Sequence, residues 1–407
     1  MGRIFFLTNH VCAGESGGGH GVEFRLHQAD IKYDLFGKDV IYIFGDRVIV
    51  GKSDVGDFKE TKDQPKKSDL RLAIRKFIPS FLRVRKLKKQ EKNTVSYLEK
   101  LNERFHFCDD DIFIFHDVKI ARPFLRRFSF KHTALVYHKQ GSIYNEWHAD
   151  TGLNSKLMRN YYNAMFEEIV GGVKYLCFPS RGSEESLIAS APELKDIVDG
   201  ADKKYLYNGV FCPEVNPKEF PEWIKEIESF DGCKLITVAV LNTAKAVERI
   251  PQYISALKGA GLNVKWILVG DGVNAELVQA NIDKYGIGND VIWKKGNVLH
   301  SDLMKLFAVT DFYILFHKYS IFDLSTLEAM HYGNIPVLTP IGGNKEVIID
   351  NNGVFVSDFS DVSSVLELIE HDKIAELAEK NREIKKKYFD EEAFLQRYAE
   401  LCDLMLK

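Results

Sequence analysis

The chain predicts an α/β protein of two Rossmann-like, doubly wound domains facing each other across a cleft. Three observations carry this expectation. Its 407 residues are too many for one core and suit two domains of ordinary size. Short β-rich runs alternate with amphipathic stretches, and the alternation occurs twice along the chain. Between the two series lies FCPEVNPKEFPEW, where Pro213, Pro217 and Pro221 make a stiff connector near residues 211–222.

The first series offers RIFFLT, DVIYIFG, DIFIFH, TALVYH, VKYLCF and KYLYN as strands. The second offers KLITVAV, VKWILVG, VIWKKG, FYILFH, IPVLT and GVFV. Stretches such as AELVQANIDKYG space their apolar residues for helices that cross back over a parallel sheet. In LEAMHYGNIPVLTP (327–340), Gly333 is placed to end a short helix before a buried strand. The last stretch, EEAFLQRYAELCDLMLK, is an amphipathic helix with no strand after it. The expected division is 1–212, with helix 386–407 packing back on it, and 213–385. Ligands on such sheets bind beyond the carboxyl ends of the strands.

Composition narrows the class. Hydrophobic content of 45% and charged content of 28% fit a soluble globular protein. A net charge of −3 gives no argument for nucleic acid, and none is expected as a partner. The six cysteines show no CxxC pair and no metal-ligand spacing, so they read as reduced packing residues. The start, MGRIFFLTNH, is too short for a signal peptide, and Phe6 stands where a myristoylation signal wants Ser or Thr. No run reaches the roughly eighteen apolar residues of a membrane span. A cytoplasmic protein is expected.

Five segments carry a resemblance: ILVGDG (267–272), GNV (296–298), Ser320 to Glu328 ending in LEAM, GGNKEVI with the NNG after it, and NGV (208–210). They resemble the GT-B glycosyltransferases, nearest to the retaining, nucleotide-sugar-dependent family 4 type. SGGGHG (16–21) resembles that family's Gly-rich first loop, with Gly18 and Gly19 at the donor. The resemblance implies transfer of a sugar from a nucleoside diphosphate to a glycan or glycolipid acceptor, as in bacterial-type surface polysaccharide or glycoconjugate assembly. It also implies retention of configuration, no metal and no cofactor.

Residue by residue, the resemblance gives Glu328 the donor's ribose hydroxyls. A carboxylate is an acceptor-only group able to take two vicinal hydroxyls. The competing reading is local, because Ser325-Thr-Leu-Glu328 is also a capping-box pattern. Val298, Ser320, Phe322 and Leu324 fall on donor-binding positions, Ser320 replacing the family's first glutamate. Asp323 replaces a glycine and is a candidate contact to the donor sugar. Of the two cations that hold the diphosphate, Lys245 is present, while the arginine position is Val240, with Arg181 or Lys318 as candidate substitutes. His138 matches a histidine beside the donor sugar and acceptor, and His20 is its rival. His138, Lys245 and Asp323 form the expected catalytic set.

Lys66 to Lys92 carries eleven Lys or Arg against two acidic residues, with Leu70, Ile74, Phe77, Ile78, Phe81 and Leu82 interleaved. Pro79 is expected to break it into two short helices. Such a segment suits an anionic membrane surface, with Arg83, Arg85, Lys86, Lys88 and Lys89 as contacts; a solvated face is the alternative. Two rival functions remain at this level. Val240 and Ser320 could mark a non-catalytic GT-B subunit that binds glycan or supports a partner enzyme. A nucleotide-sugar epimerase or hydrolase is the other.

Overall fold

The computed structural model describes residues 2–9, 21–45, 47–51, 53–54, 78–296 and 298–407. It divides into two compact units, Met1–Tyr207 with Phe394–Lys407, and Asn208–Ala393. The division precedes the proline-rich connector because residues 208–213 are already bound to the second unit. The Val210 amide donates to the Phe389 carbonyl at 3.0 Å, and the Tyr332 hydroxyl donates to the Pro213 carbonyl.

In the first unit the strands are β1 (Ile4–Leu7), β2 (Val40–Ile43), β3 (Val48–Val50), β4 (Ser53–Asp54), β5 (Ile112–Phe115), β6 (Thr133–Val136), β7 (Tyr175–Phe178) and β8 (Lys203–Tyr205). They are ordered β4-β3-β2-β1-β5-β6-β7-β8. All neighbours are parallel except β2–β3 and β3–β4, an antiparallel edge absent from the sequence expectation. Strand alternation splits the core into two faces. Phe5, Leu7, Phe113 and Phe115 point to one, packed by helices 80–105, 118–127 and 156–172. Phe6, Tyr42, Ile112 and Ile114 point to the other, packed by helices 22–33 and 391–406. Apolar residues on both faces are what a sheet covered on both sides requires.

The basic segment departs from expectation. Pro79 precedes one continuous helix, Ser80–Phe105, and does not separate two short ones there. Val84, Leu87, Tyr97, Leu98, Leu101 and Phe105 recur on one face and pack on the core, which sustains the helix past Lys92. Glu91 anchors it, accepting from Arg122 Nη1 at 3.0 Å and from the Tyr161 hydroxyl at 2.7 Å. The part of the basic segment before residue 78 lies outside the described residues.

The second unit carries β9 (Cys233–Val238), β10 (Val264–Val269), β11 (Val291–Lys294), β12 (Phe312–Leu315), β13 (Ile335–Leu338) and β14 (Val354–Phe355). All are parallel, in the order β11-β10-β9-β12-β13-β14. This is the dinucleotide-fold order, whose direction of winding reverses between β9 and β12. The loops leaving those two strands meet beyond the sheet, where the Lys318 amide donates to the Ala244 carbonyl at 2.8 Å.

Candidate functional site

At that reversal in the second unit three side chains from the two loops come together. After β9, Asn242 Oδ1 accepts the amides of Ala244 and Lys245, both at 3.0 Å. This Asx-type turn presents Lys245. After β12 come His317 and then Asp323, the N-cap of helix Leu324–His331. The Lys245 ammonium is ion-paired with Asp323 Oδ1 and lies 3.1 Å from His317 Nε2.

Asp323 Oδ2 is fully used on its other side. It accepts from the Tyr313 hydroxyl at 2.9 Å, the Thr326 hydroxyl at 2.9 Å and the Thr326 amide at 3.2 Å. Burial alone would raise this carboxyl's pKa, but the Lys245 charge and the His317 bond hold it well below the usual range. His317 is lowered instead, by burial first and then by Lys245. Its Nε2 stands between the Lys245 ammonium at 3.1 Å and Asp323 Oδ1 at 3.7 Å. The Lys245 side chain keeps 24% of its exposure, and its ammonium has donors beyond the one given to Asp323 with which to reach a further anion.

The start of helix 324–331 settles what caps it. The capping residue is Asp323, and Ser325 lies inside the first turn. The competing Ser325–Glu328 capping box therefore does not form. Glu328 sits further along the helix, with Oε1 3.2 Å from His300 Nε2 and its side chain 15% exposed. His300 opens helix His300–Ala308, directly after Val298 and Leu299.

The loop before this helix is shaped by two glycines. A Cβ on Gly342 or Gly343 would lie 1.9 Å from the carbonyl oxygen of Ser320 or Ile321, and Gly342 has φ +48°. The Gly343 amide donates to the Ser320 carbonyl at 3.1 Å. So the GGNKE turn holds the backbone of residues 320–321 at a separation only glycine permits. Ser320 is buried, and Phe322 turns its ring onto Phe389 at 5.6 Å, leaving backbone at the site. Leu324 and Val298 are half-buried.

Val240, at the expected arginine position, is 63% exposed on the loop after β9. Val273, Leu299 and Tyr319, after β10, β11 and β12, are exposed too. All four follow the carboxyl ends of strands in this sheet. Neither candidate substitute for the arginine stands idle. Lys318 pairs with Glu248 Oε1 at 3.0 Å, and Arg181 stacks 5.4 Å from the Tyr205 ring in the first unit.

In the first unit His138 follows β6 and lies 3.1 Å from Nδ1 of His116, which follows β5. Gly18, Gly19 and His20 lie outside the described residues. Arg85, Lys86, Lys88 and Lys89 are on helix 80–105, where Arg83 donates to the Ile78 carbonyl at 2.9 Å. Sequence reasoning gave no role to His300 or His317, and of His116 it said only that the His-Asp pair at 116–117 sits at a strand end facing the same cleft as His138. Each strand-end histidine carried the same weak signal that selected His138, and His300 carried none.

Two α/β units on mainly parallel sheets, one wound 3-2-1-4-5-6 with a charged cluster at its reversal, are the architecture of the GT-B class. Residues 219–388 match the model of the family described as glycosyl transferases group 1. No curated protein matches in sequence. Solved structures are similar over the whole length. Sucrose-phosphate synthase from Thermosynechococcus elongatus has a TM-score of 0.67 at 14% identity, covering 100% of this chain and 99% of that one. A glycosyltransferase from Rickettsia africae has 0.64 at 15%, covering 100% and 99%. HepE from Anabaena, solved with UDP-glucose, has 0.61 at 15%, covering 98% of each. At such identities the likeness defines the fold.

Proposed function

We propose that the chain transfers a sugar from a nucleoside diphosphate donor to a hydroxyl of a glycan or glycolipid. The observation that carries this is the division of labour on helix 324–331. Asp323 caps it, so Glu328 is left with a partly exposed carboxylate suited to ribose hydroxyls. Lys245 supplies the remaining cation for the diphosphate, its charge partly offset by Asp323. Stabilising the leaving group by preorganised charge is the largest contribution such a site makes without a metal. The apolar rim of Val240, Val273, Leu299 and Tyr319 offers contact to the faces of base and sugar. That HepE was solved with UDP-glucose supports a nucleotide sugar as ligand.

Retention of configuration, independence of metal and a cytoplasmic setting complete the proposal. Among the described residues no helix is long and apolar enough to cross a membrane. Exposed Ile78, Phe81 and Leu82 at the start of helix 80–105, beside its basic residues, support contact with an anionic membrane surface and a lipid-linked acceptor.

The second reading, a non-catalytic GT-B subunit, draws on Val240 and the Lys245–Asp323 pair, which together leave little net positive charge for a diphosphate. Ligand-observed binding across a panel of nucleotide sugars separates the two. Saturable binding of one donor that Glu328→Gln abolishes supports the transferase, and no binding by any donor overturns it.

A further inference from the structure

The first unit carries a second charged cluster, on the side of its sheet packed by helices 80–105, 118–127 and 156–172. There the three helices line a cleft of about 400 Å³, within the size range of ligand sites. Four cations face it, Lys88 and Lys92 from the first helix and Arg122 and Arg126 from the second. Glu91, Tyr161 and the apolar Val95 line it as well.

The carboxylates here are already committed to the arginines. Glu168 accepts from Arg122 Nε at 2.7 Å and from Arg126 Nη2 at 2.8 Å. Glu91 accepts from Arg122 Nη1 and the Tyr161 hydroxyl through one oxygen, and from Arg126 Nη1 at 3.3 Å through the other. Arg122 is only 7% exposed, yet its Nη2 meets no acceptor among the described residues. A guanidinium nitrogen left unmatched at that depth carries a cost that a bound anion removes. Lys88 and Lys92 are exposed, and no ion pair among the described residues holds either ammonium. Four cations against two carboxylates leave two positive charges in excess.

The helix face around the cleft distinguishes one anion from another. Phe81, Arg85, Lys88 and Lys92 follow at spacings of four, three and four residues, which is a single stripe of a helix. Phe81 at its start is 61% exposed, and Ile78 and Leu82 near it are exposed too. A soluble phosphate needs the cations alone, whereas a lipid uses the cations and the apolar end together. We propose that this cleft binds the phosphate headgroup of one anionic lipid, with Arg122, Lys88 and Lys92 on the phosphate and Phe81 at the acyl boundary. The inference rests on the proposed membrane contact of helix 80–105 and goes beyond it, because a cleft takes a single headgroup where a basic face takes only diffuse charge.

Dihexanoyl phosphatidylglycerol, kept below its micelle concentration, is the probe. Isothermal titration of the whole chain and the methyl signals of Val95 are the readouts. The expected result is saturable binding of one lipid per chain that shifts Val95. Dihexanoyl phosphatidylcholine and inorganic phosphate should each bind on the order of tenfold more weakly or not at all. Lys88→Gln with Lys92→Gln should weaken the lipid on the order of twentyfold, since each cation beside an anionic surface contributes about fivefold. Lys86→Gln with Lys89→Gln removes the same charge from outside the cleft and should change affinity by less than about threefold. Absence of saturable binding, or equal losses from the two pairs, overturns the proposal. Inorganic phosphate bound as tightly as the lipid overturns it too and assigns the cleft to a soluble anion. Vesicles of phosphatidylglycerol distinguish this site from the membrane contact itself. Vesicles bound without the short-chain lipid leave the contact standing and refute the cleft; the short-chain lipid bound without vesicles does the reverse.

Discussion

Asp323→Ala is the perturbation whose size the structure defines best. The substitution removes the helix cap received by the Thr326 amide and hydroxyl, worth about 0.5–2 kcal/mol. It withdraws an acceptor from the buried Tyr313 hydroxyl, costing on the order of 1 kcal/mol because the Val238 carbonyl at 3.3 Å remains as a partner. It also breaks the pair with Lys245. Breaking a fully buried pair costs about 3–5 kcal/mol, but Lys245 is partly exposed and recovers some hydration, so roughly 1–2 kcal/mol is expected. The three together predict a loss of about 3–5 kcal/mol. Asp323→Asn keeps a capping oxygen and should lose roughly half as much. Denaturant unfolding followed by tryptophan fluorescence is suitable, because Trp223, Trp266 and Trp293 all belong to the second unit and only Trp147 to the first. The pH dependence has a defined sign. A carboxyl whose folded pKa is depressed contributes stability above its unfolded value near 3.9 and loses it as pH falls further. The stability advantage of the unaltered protein over Asp323→Asn should thus be level between about pH 5 and 8 and shrink below about pH 4. An Ala loss under about 1 kcal/mol, or a difference that grows on acidification, would refute the account of this cluster.

Glu328→Gln should weaken donor binding sharply while moving the denaturation midpoint little, since the cap belongs to Asp323; a stability loss with donor affinity kept would sink the ribose role. Lys245→Ala should lower affinity for a nucleoside diphosphate but not for the bare nucleoside, as isothermal titration of the two would reveal, and chelator should leave turnover unchanged. Glu23 is raised well above the usual carboxyl range by burial first and then by Asp117, so its penalty to the folded state grows as pH rises from about 4.3. Glu23→Gln should therefore gain stability relative to the unaltered protein between about pH 5 and 8, and an opposite slope would contradict the buried, uncharged carboxyl. Neutralising Arg83, Arg85, Lys86, Lys88 and Lys89 together should abolish salt-sensitive binding to anionic vesicles; persistent binding would assign this helix face to water.

The strands were legible because β-branched and aromatic residues cluster in runs such as VKWILVG and FYILFH, and every strand of the second unit lies within or overlaps such a run. β3 and β4 were not, since runs of three and two residues give periodicity too little length to register. Helix 80–105 was misjudged at Pro79, whose first-turn tolerance looks in sequence like a break. At the site, Lys245, Glu328 and the GGNKE turn could be found through motif spacing. The pairing of Lys245 with Asp323 and His317 could not, because those partners are 78 and 72 positions away and meet only through the strand order. The capping-box alternative stayed open because Asp323 and Ser325 are both good capping residues, and only the geometry at Thr326 distinguishes them.

Helix 391–406 gives the first unit a place in time as well as in space. Its Phe394, Leu395, Tyr398, Leu401, Cys402 and Met405 complete the core face built on Phe6 and Tyr42, and Tyr398 covers the ring of His116. During synthesis these residues leave the ribosome after every strand of both sheets. The usual order, in which the amino-terminal domain folds first, is therefore inverted here. The second unit has all its strands while the first still waits for its closing helix, with the Phe6 face covered only by helix 22–33. A nascent chain stalled before residue 391 would present that face to chaperones, and the emergence of this helix is the event that seals it.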